Sequence, residues 1–521
     1  MNREGKFFSL VEHSLTLAIS FILSAFGTTL YYSFRLGWVY VDVALFSGFC
    51  MLLFWLMVIN NLAILSLLVM KLYNIKLKGN VLASQKWYSI VSLICEIFTI
   101  LTVIICIAFM AVMSFESIPA GFRFFYQTLP ALLLFFGGAV LLLLYPLVKC
   151  GKVKLIIVSA MLFVMVLGIV SCIYPLYPFK ITAPPMVIDN GKEQGEYSVV
   201  FATNDYATGY IEYEYNGEQY KVYDQKGGRL VGDSYIHTIS VPHEHLENNK
   251  YRVGSVRVID ELSYGGRQGV EKISEWYTLK VNKSEEQEYL VLSDWHTYNN
   301  QALKTAKYAG DYDAVIMLGD STPGINFQEE VVKYIVEFGG ELTNGSKPII
   351  YTRGNHETRG KYASYLLDDL GFDEFYFTVD MGPYSFAVLD SGEDKKDNHP
   401  EYGGMVNYEQ YRKDMVKWFE SATLTNTKSL MLVHDWKICI EDDLSNRAFN
   451  RANELGISGI LSGHTHDYGL IEQNKLNGFV YQDGGHKNGY VLSKLRLTPN
   501  KIYINAWNNK GTQVFNQNFE W

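Results

Sequence analysis

The chain divides into three parts by the spacing of its apolar positions. The first part, residues 1–180, contains five long apolar runs, at 7–32, 45–70, 87–113, 129–148 and 153–174. Each run has the roughly 20 residues that a helix needs to cross about 30 Å of hydrocarbon. This pattern predicts a five-helix transmembrane region.

Basic residues between these runs predict an orientation, because cytoplasmic loops are enriched in Lys and Arg. The amino-terminal segment and the loops after the second and fourth runs hold nine such residues, against two in the other loops. We therefore expect a multi-pass protein of the plasma membrane, with the lipid bilayer as a partner, a cytoplasmic amino terminus and all later residues outside the cell. Glu96 lies deep in the third run, where an ionisable group is costly; a transport or lipid-binding role and a purely structural one both stay open.

A second pattern follows a proline-rich linker and covers residues 186–283. Short segments there alternate apolar and polar residues and are separated by turn residues, which is typical of half-buried strands. The pattern predicts a β-sandwich of about 100 residues, with His237, His243 and His245 at its surface. The segments TNDYATGYIEYEYNGEQY, HTISVP and YRVGSVRVID resemble the fibronectin-like amino-terminal domain of purple acid phosphatases.

The third part, residues 286–521, alternates apolar strand-like runs with amphipathic stretches. The strand-like runs are YLVLSD, AVIMLGD, PIIYTRGNH, YSFAVLD, SLMLVH and ISGILSGH. Apolar residues recur at helical spacing in 327–338 and 408–420. This alternation predicts an α/β domain.

Side chains that can bind metal ions follow five of these six runs. They are Asp294, His296, Asp320, Asn355, His356, His434, His464 and His466. Strand ends of an α/β sheet meet in a ligand-binding crevice, so we expect these side chains to converge. Oxygen and nitrogen donors without thiolates suit Mn, Fe or Zn in a reactive site better than a structural zinc site.

The blocks D-x-H, GD, GNH[D/E], H and GHxH occur in that order between Asp294 and His466. In this the chain resembles the calcineurin-like metallophosphoesterase superfamily. The resemblance implies a two-layer β core flanked by helices and holding two metal ions. It implies one metal ion bound by Asp294, His296, Asp320 and His466, and a second bound by Asp320, Asn355, His434 and His464.

The resemblance also implies the roles of the remaining site residues. Asp320 would bridge the two ions, and His356 would contact the substrate phosphate or protonate the leaving oxygen. Asn355 is a further candidate for binding the phosphate. Apart from the resemblance, Arg359 lies three residues after His356 and could bind a phosphate oxygen or be a plain surface arginine. The expected activity is hydrolysis of phosphate mono- or diesters by a metal-bound hydroxide, which two-metal sites generate near neutral pH. A membrane receptor or transport component that binds phosphorylated ligands without turnover is the alternative.

Two departures from related families narrow the expectation. Purple acid phosphatases carry an iron-binding tyrosine three residues after the aspartate of the GD block, where this chain has Pro323. Serine/threonine protein phosphatases share the RGNHE of 353–357, but their second block continues with DRG where this chain has STPG. We therefore expect neither an iron–tyrosinate centre nor a protein phosphatase.

Several neighbouring residues have open roles. Asp435 and Asp467 could orient metal-bound histidines or lie exposed in loops, and Trp295 and Tyr298 could form an apolar wall or pack in the core. The polar segment 391–407 is long enough to be a lid that determines specificity. His399 within it is expected to be solvated, and the role of His486 is open.

The charge of the chain limits which partners it can bind, and its cysteine content limits how it can be stabilised. Residues 1–180 hold 12 of the 45 Lys and Arg residues but only 5 of the 54 Asp and Glu residues, so the remainder has a net charge of −16. Such an acidic remainder argues against binding to nucleic acid, which requires a basic surface. Cys439 is the only cysteine after residue 180, so this part is stabilised by its core and not by disulfides.

Overall fold

The structure is a computed structural model that describes most of the chain after residue 177. The described residues are 55–64, 66–67, 70, 87, 90–95, 97–101, 104, 178–192, 195–262, 265–484 and 489–521. The chain forms two compact units, Met1–Tyr177 and Pro178–Trp521.

The described residues of the first unit form short helical runs, among them 55–64 and 90–95. Asn60 Nδ2 donates a hydrogen bond to Thr99 Oγ1 at 3.2 Å, and Ile64, Leu67 and Cys95 are buried together. Within the described part of the chain, no helix has the length and apolar character needed to cross a membrane.

This finding contradicts the predicted five-helix transmembrane region and the predicted multi-pass location in the plasma membrane. The predicted cytoplasmic amino terminus and extracellular catalytic domain depended on those membrane helices and are therefore wrong as well. A lipid bilayer is not supported as a partner. The expected runs 7–32, 129–148 and 153–174 lie outside the described residues, as does Glu96, while 45–70 and 87–113 are described only in part.

The second unit begins with antiparallel strands. They are β1 (Met186–Asp189), β2 (Glu196–Tyr215), β3 (Glu218–Tyr223), β4 (Gln225–Lys226), β5 (Arg229–Leu230), β6 (Ser234–Pro242), β7 (Lys250–Leu262), β8 (Gly265–Ile273) and β9 (Tyr277–Thr278), with helix α1 (His243–Leu246) after β6. The 20-residue strand β2 pairs with β1 and β6 along its first half and with β7 and β3 along its second half, with an irregularity between Ala202 and Ala207. His237, expected at the surface, is fully buried in this region, and its Nδ1 lies 3.1 Å from Asp224 Oδ2.

The strands of the α/β core follow. They are β10 (Gln287–Leu292), β11 (Ala314–Met317), β12 (Pro348–Tyr351), β13 (Phe377–Met381), β14 (Tyr384–Val388), β15 (Ser429–Leu432), β16 (Gly459–Ser462), β17 (Gly469–Leu470), β18 (Phe479–Gln482), β19 (Val491–Leu497), β20 (Lys501–Asn508) and β21 (Gln513–Glu520). Strands β10, β11 and β12 are parallel neighbours, and β14, β15, β16 and β18 form a second parallel set. Their residues are almost continuously apolar and buried, as expected of parallel strands covered on both faces.

Helices cover the outer faces of these two sheets. They are α2 (Asn299–Ala309), α3 (Gln328–Val331, continued by a π-helical turn at Val332–Val336 and by Glu337–Thr343), α4 (Leu366–Leu370), α5 (Tyr408–Ser421) and α6 (Asp442–Glu454); short 3₁₀ turns lie at His356–Thr358, Ala363–Tyr365 and Pro400–Tyr402. One core cluster joins residues of both sheets with α2 and α3, and a second joins the β14–β16 sheet with α5 and α6. This is the expected α/β arrangement, with a two-layer β core flanked by helices.

The antiparallel region and the α/β core are connected through one sheet. Strand β1 pairs in parallel with β12, with Val187 opposite Pro348 and Ile188 opposite Ile349. The resulting sheet runs β21-β20-β19-β10-β11-β12-β1-β2-β7-β8. The sequence predicted a domain boundary between residues 283 and 286, but the strands on its two sides belong to one sheet. The division into domains 1–180, 186–283 and 286–521 stays a prediction.

Candidate metal centre

The chain turns at the carboxyl ends of five strands to bring polar side chains to one edge of the core. Asp294 and His296 follow β10, Asp320 follows β11, Asn355 and His356 follow β12, His434 follows β15, and His464 and His466 follow β16. Because ligands of α/β proteins bind at this edge, the location agrees with a functional site.

The first group of side chains contains Asp294, His296, Asp320 and His466, whose potential ligand atoms all lie within 4.8 Å of one another. Nε2 of His296 is 3.0 Å from Nε2 of His466 and 3.7 Å from Oδ2 of Asp320. Nε2 of His466 is 3.5 Å from Oδ1 of Asp294. Two imidazoles and two carboxylates thus face a common point.

The second group shares Asp320 with the first and adds His434 and His464, again within 4.8 Å. Nε2 of His434 lies 3.1 Å from Oδ2 of Asp320. Asn355 completes this group, since its Oδ1 lies 3.1 Å from Nδ1 of His464. The structure therefore brings together the seven side chains that the sequence suggested as ligands, with Asp320 shared by the two groups.

Unusual backbone geometry produces this convergence. Ten non-glycine residues have a positive φ within the described ranges, and six of them surround this centre: Asp294, His296, Thr297, Asp320, His464 and His466. Glycines allow the loops to approach each other: a Cβ on Gly319 would lie 2.3 Å from Gly354 N, and one on Gly463 would lie 1.8 Å from Ser293 Oγ. Strained residues persist only where surrounding contacts determine them, and they concentrate at functional sites.

His434 provides a test of whether a metal ion fits. Its Nδ1 lies 2.6 Å from the carbonyl oxygen of Leu318, so Nδ1 carries the proton and donates it there. Its buried Nε2 makes no hydrogen bond despite lying 3.1 Å from the Asp320 carboxylate. When the imidazole is neutral, Nε2 carries a lone pair that faces a carboxylate oxygen, and a cation coordinated by both atoms would satisfy them.

The electrostatics of the centre lead to the same conclusion. Burial raises the pKa of Asp294 to about 7. Burial also disfavours the charged form of His434, but the neighbouring Asp320 carboxylate outweighs it and raises the pKa of His434 to about 10. The buried carboxylates therefore favour a positive charge at Nε2 of His434, which a proton supplies in the imidazolium form and a metal ion would supply in its place. The nitrogen and oxygen donors of the centre fit Mn, Fe or Zn.

His356 lies beside the two groups and belongs to neither. Its backbone N–H donates to Asp320 Oδ1 at 2.9 Å, and its Nδ1 lies 3.0 Å from the carbonyl oxygen of Pro323. Its Nε2 is 3.9 Å from Asp320 Oδ2, at the partly exposed side of the centre. Pro323, which stands where purple acid phosphatases have a tyrosine, thus orients His356 through its carbonyl group.

The sequence analysis missed the role of Glu357, a fully buried carboxylate. Its Oε2 accepts hydrogen bonds from the backbone N–H groups of Asp320 (2.9 Å) and Gly354 (3.0 Å), and its Oε1 accepts from Ser321 N and Oγ. Glu357 therefore ties the loop that carries Asp320 to the loop that carries Asn355. The glutamate of the GNHE block was the available signal.

The structure gives the surroundings of the other candidates except His486, and Asp435 lies beside the proposed ligand His464. Asp435 lies 4.0 Å from His464 Nε2 and accepts a hydrogen bond from Lys437 N, and Asp467 accepts one from Tyr468 N. Trp295 is fully buried, and its Nε1 donates to Tyr334 O at 3.1 Å. The remaining three differ in location: Tyr298 is half exposed, His399 accepts a hydrogen bond from Glu401 N in the 391–407 segment, and His486 lies outside the described residues.

Comparison with known proteins identifies the α/β part. Residues 288–468 match the family model of the calcineurin-like phosphoesterases. No curated protein matches significantly. The chain thus carries a calcineurin-like phosphoesterase domain that includes every candidate ligand.

The solved structures that match this chain are distant from it in sequence. A purple acid phosphatase from yellow lupin (Lupinus luteus) seeds is 16% identical, with 64% of this chain and 74% of that chain covered and a TM-score of 0.46. PhoD is 10% identical, with 66% and 94% covered and a TM-score of 0.44. GAP50 of Plasmodium is 11% identical, with 46% and 89% covered and a TM-score of 0.34.

Proposed function

We propose that this chain, a metal-dependent phosphoesterase, hydrolyses phosphate esters at the centre around Asp320, where two metal ions would be held. Asp294, His296, Asp320 and His466 would hold one ion, and Asp320, Asn355, His434 and His464 the other. The observation that carries the proposal is the unsatisfied, buried Nε2 of His434 facing the shared carboxylate of Asp320. Two bound ions would supply Lewis acidity, which neutralises phosphate oxygens and lowers the pKa of a water molecule.

The protein's own residues position the substrate and move a proton. The Pro323 carbonyl holds Nδ1 of His356, so the opposite nitrogen, Nε2, faces the centre. When the imidazole is protonated, its Nε2–H is available to the leaving oxygen, which makes His356 the candidate general acid. Asn355 and Arg359 lie on the same side and are proposed to contact the phosphate.

The test is to measure metal content and hydrolysis together in the full chain. Mn, Zn or Fe would be added to the wild type, to Asp320→Asn and to the control Asp414→Asn, which changes an exposed aspartate of α5. Hydrolysis of p-nitrophenyl phosphate and bis-p-nitrophenyl phosphate would be followed. We expect about two metal ions per chain in the wild type and the control, and a loss of metal and of at least about 100-fold in turnover in Asp320→Asn.

Each other outcome has a defined meaning. Wild-type turnover that persists unchanged in Asp320→Asn would contradict the bridged centre. Two bound metal ions without hydrolysis of either ester would favour the alternative of ligand binding without turnover on such substrates.

A further inference from the structure

Arg359 is held beside His356 by Glu393, and its Nη2 also lies 3.5 Å from Asp394 Oδ1. Its Nε donates to Glu393 Oε1 at 2.8 Å and its Nη2 donates to Glu393 Oε2 at 2.9 Å. This two-point arrangement fixes the plane of the guanidinium group, which a lysine could not reproduce. It leaves Nη1 directed away from Glu393.

Nη1 of Arg359 lies against the face of the His356 ring. It is 3.1 Å from Nε2 and 3.4 Å from Nδ1 of His356. A hydrogen bond in the plane of the ring to one nitrogen would leave the other much farther away, so these nearly equal distances place Nη1 above the ring. Ring nitrogens approached from this side are weak acceptors for the Nη1–H groups, so a phosphate oxygen would be a stronger acceptor there.

The residue that holds Arg359 is itself fixed. The side chain of Glu393 is only 2% exposed, and it also accepts hydrogen bonds from Thr358 Oγ1 (3.0 Å) and Tyr402 Oη (3.1 Å). The fully buried Arg412 donates to the carbonyl oxygen of Glu393 at 3.3 Å. Because Arg359 keeps a side-chain exposure of 21%, the pair presents a rigid cation at the accessible side of the centre.

The guanidinium group of Arg359 lies where a bound substrate would reach it. Nη1 contacts the His356 ring, whose Nε2 is 3.9 Å from Asp320 Oδ2. A phosphoryl group that reaches the proposed metal ions and His356 would therefore also come within reach of Nη1. The His356 ring and the Arg359 guanidinium group can both carry a positive charge, so an anionic phosphate beside them would stabilise both.

We infer that the Glu393–Arg359 pair binds the third terminal oxygen of a phosphomonoester and makes the centre select monoesters over diesters. The inference rests on the proposed function. A monoester has three terminal oxygens and up to two negative charges, so two oxygens can meet the metal ions while the third accepts from Arg359. A diester has two terminal oxygens and one charge, so Arg359 would face an ester oxygen, which is a poorer acceptor. Glu393 acts here as a positioning residue.

The experiment compares both esters in the full-length, metal-loaded protein. Values of kcat/KM for p-nitrophenyl phosphate and bis-p-nitrophenyl phosphate would be measured for wild type, Arg359→Ala, Arg359→Lys and Glu393→Gln. Arg447→Ala is the matched control, since Arg447 forms an exposed two-point pair with Glu420 on the surface. Inorganic phosphate affinity and metal content would be measured for the same proteins.

We expect Arg359→Ala and Glu393→Gln to lower monoester kcat/KM by about 10- to 100-fold, the range for losing a charge-assisted hydrogen bond. Diester hydrolysis and metal content should change by less than about 3-fold, and Arg359→Lys should resemble Arg359→Ala because lysine cannot pair at two points. The fall in the monoester-to-diester ratio is a readout that a merely structural role of Glu393 would not move.

Equal losses on both esters, or unchanged phosphate affinity in Arg359→Ala, would overturn the inference. If Glu393→Gln fails to fold, the partly exposed Arg359 variants decide. A wild type that holds metal but hydrolyses neither ester would count against the proposed function alone, and weakened phosphate binding in Arg359→Ala would still support the role of the pair.

Discussion

The proposed ligands lie in unfavourable backbone conformations that contacts between loops stabilise. Asp294, His296, Asp320, His464 and His466 all have left-handed backbone conformations, each of which costs a residue with a Cβ about 1–2 kcal/mol. Hydrogen bonds from neighbouring loops hold them there. Glu357 accepts from Asp320 N, and Asp294 Oδ2 accepts from His464 N at 2.9 Å.

At this scale we predict that Glu357→Gln weakens both the fold and metal binding. The amide would place an NH₂ group against backbone donors, which breaks at least one pair of the hydrogen bonds that Glu357 accepts. We expect unfolding free energy to fall by about 2–4 kcal/mol and metal affinity to fall by about 10- to 100-fold. Denaturant unfolding and metal titration measure the two effects.

The control is Glu409→Gln, which changes an exposed glutamate paired with Lys413 on α5. It should change both quantities little. Wild-type stability and metal affinity in Glu357→Gln would show that the loop positions do not depend on this carboxylate.

Among the elements, helix α5 is joined to Glu441, the residue before α6, by a largely buried ion pair. Arg412 is fully buried, and its Nε and Nη2 donate to the two carboxylate oxygens of Glu441 at 2.7 Å each. The same arginine donates to the carbonyl oxygens of Ser391 and Glu393, so it links both helices to the segment that holds Arg359. Removing one partner would leave a buried charge without compensation.

We predict that Glu441→Gln and Arg412→Met each destabilise the chain by about 2–4 kcal/mol. The double variant should be less destabilised than the sum of the single variants, with a coupling of about 1–3 kcal/mol. Unfolding curves for the four proteins of this cycle give the coupling directly.

The same two helices provide a matched comparison. Glu420 and Arg447 form an exposed pair between them, with side-chain exposures of 39% and 46%. A double-mutant cycle of Glu420 and Arg447 should give a coupling free energy of only about 0–1 kcal/mol. Equal couplings for the two pairs would show that burial does not determine the strength of the Arg412 pair.

Local sequence patterns predicted the elements that carry the site, because their signals lie within a few residues. The predicted runs before Asp294, Asp320, Asn355, His434 and His464 are strands in the structure, and their carboxyl ends meet at one edge of the core. The role of Glu393 was not predictable, since its partner Arg359 lies 34 positions away and only the folded chain brings them together. The apolar runs of residues 1–180 predicted membrane helices from composition and length alone, and the described residues contain no such helix.

Over the whole second unit, stability depends on contacts between the antiparallel region and the α/β core. Strand β1 continues the sheet of β12, and Gln328 of α3 donates to Ser234 Oγ at 2.7 Å and to Asp369 Oδ1 at 3.0 Å. Asp369 O in turn accepts a hydrogen bond from Thr238 Oγ1. Asp369 thus lies where α3, α4 and β6 meet.

Asp369 should make this junction sensitive to pH. Burial raises the pKa of its carboxyl group to about 7 from an ordinary value of 3.8, although Tyr362 and Gln328 donate to it. Between these two pH values the folded chain holds a proton that the unfolded chain releases, so raising the pH favours unfolding. The stabilising contribution is complete below about pH 4 and is lost as the pH rises through about 7.

We therefore predict that Asp369→Asn is more stable than wild type at pH 8 by about 2–4 kcal/mol. The variant should also lose part of the decline in unfolding free energy between pH 5 and pH 8. Denaturant unfolding of the metal-loaded protein across this range measures both, and loading keeps the metal ligands in one state. Asp368→Asn is the control, since Asp368 is 63% exposed and pairs with Lys226 at the surface. Parallel pH curves for wild type and Asp369→Asn would mean that the junction accommodates the charged carboxylate, and that its stability comes from the β1–β12 pairing and the contacts of Gln328.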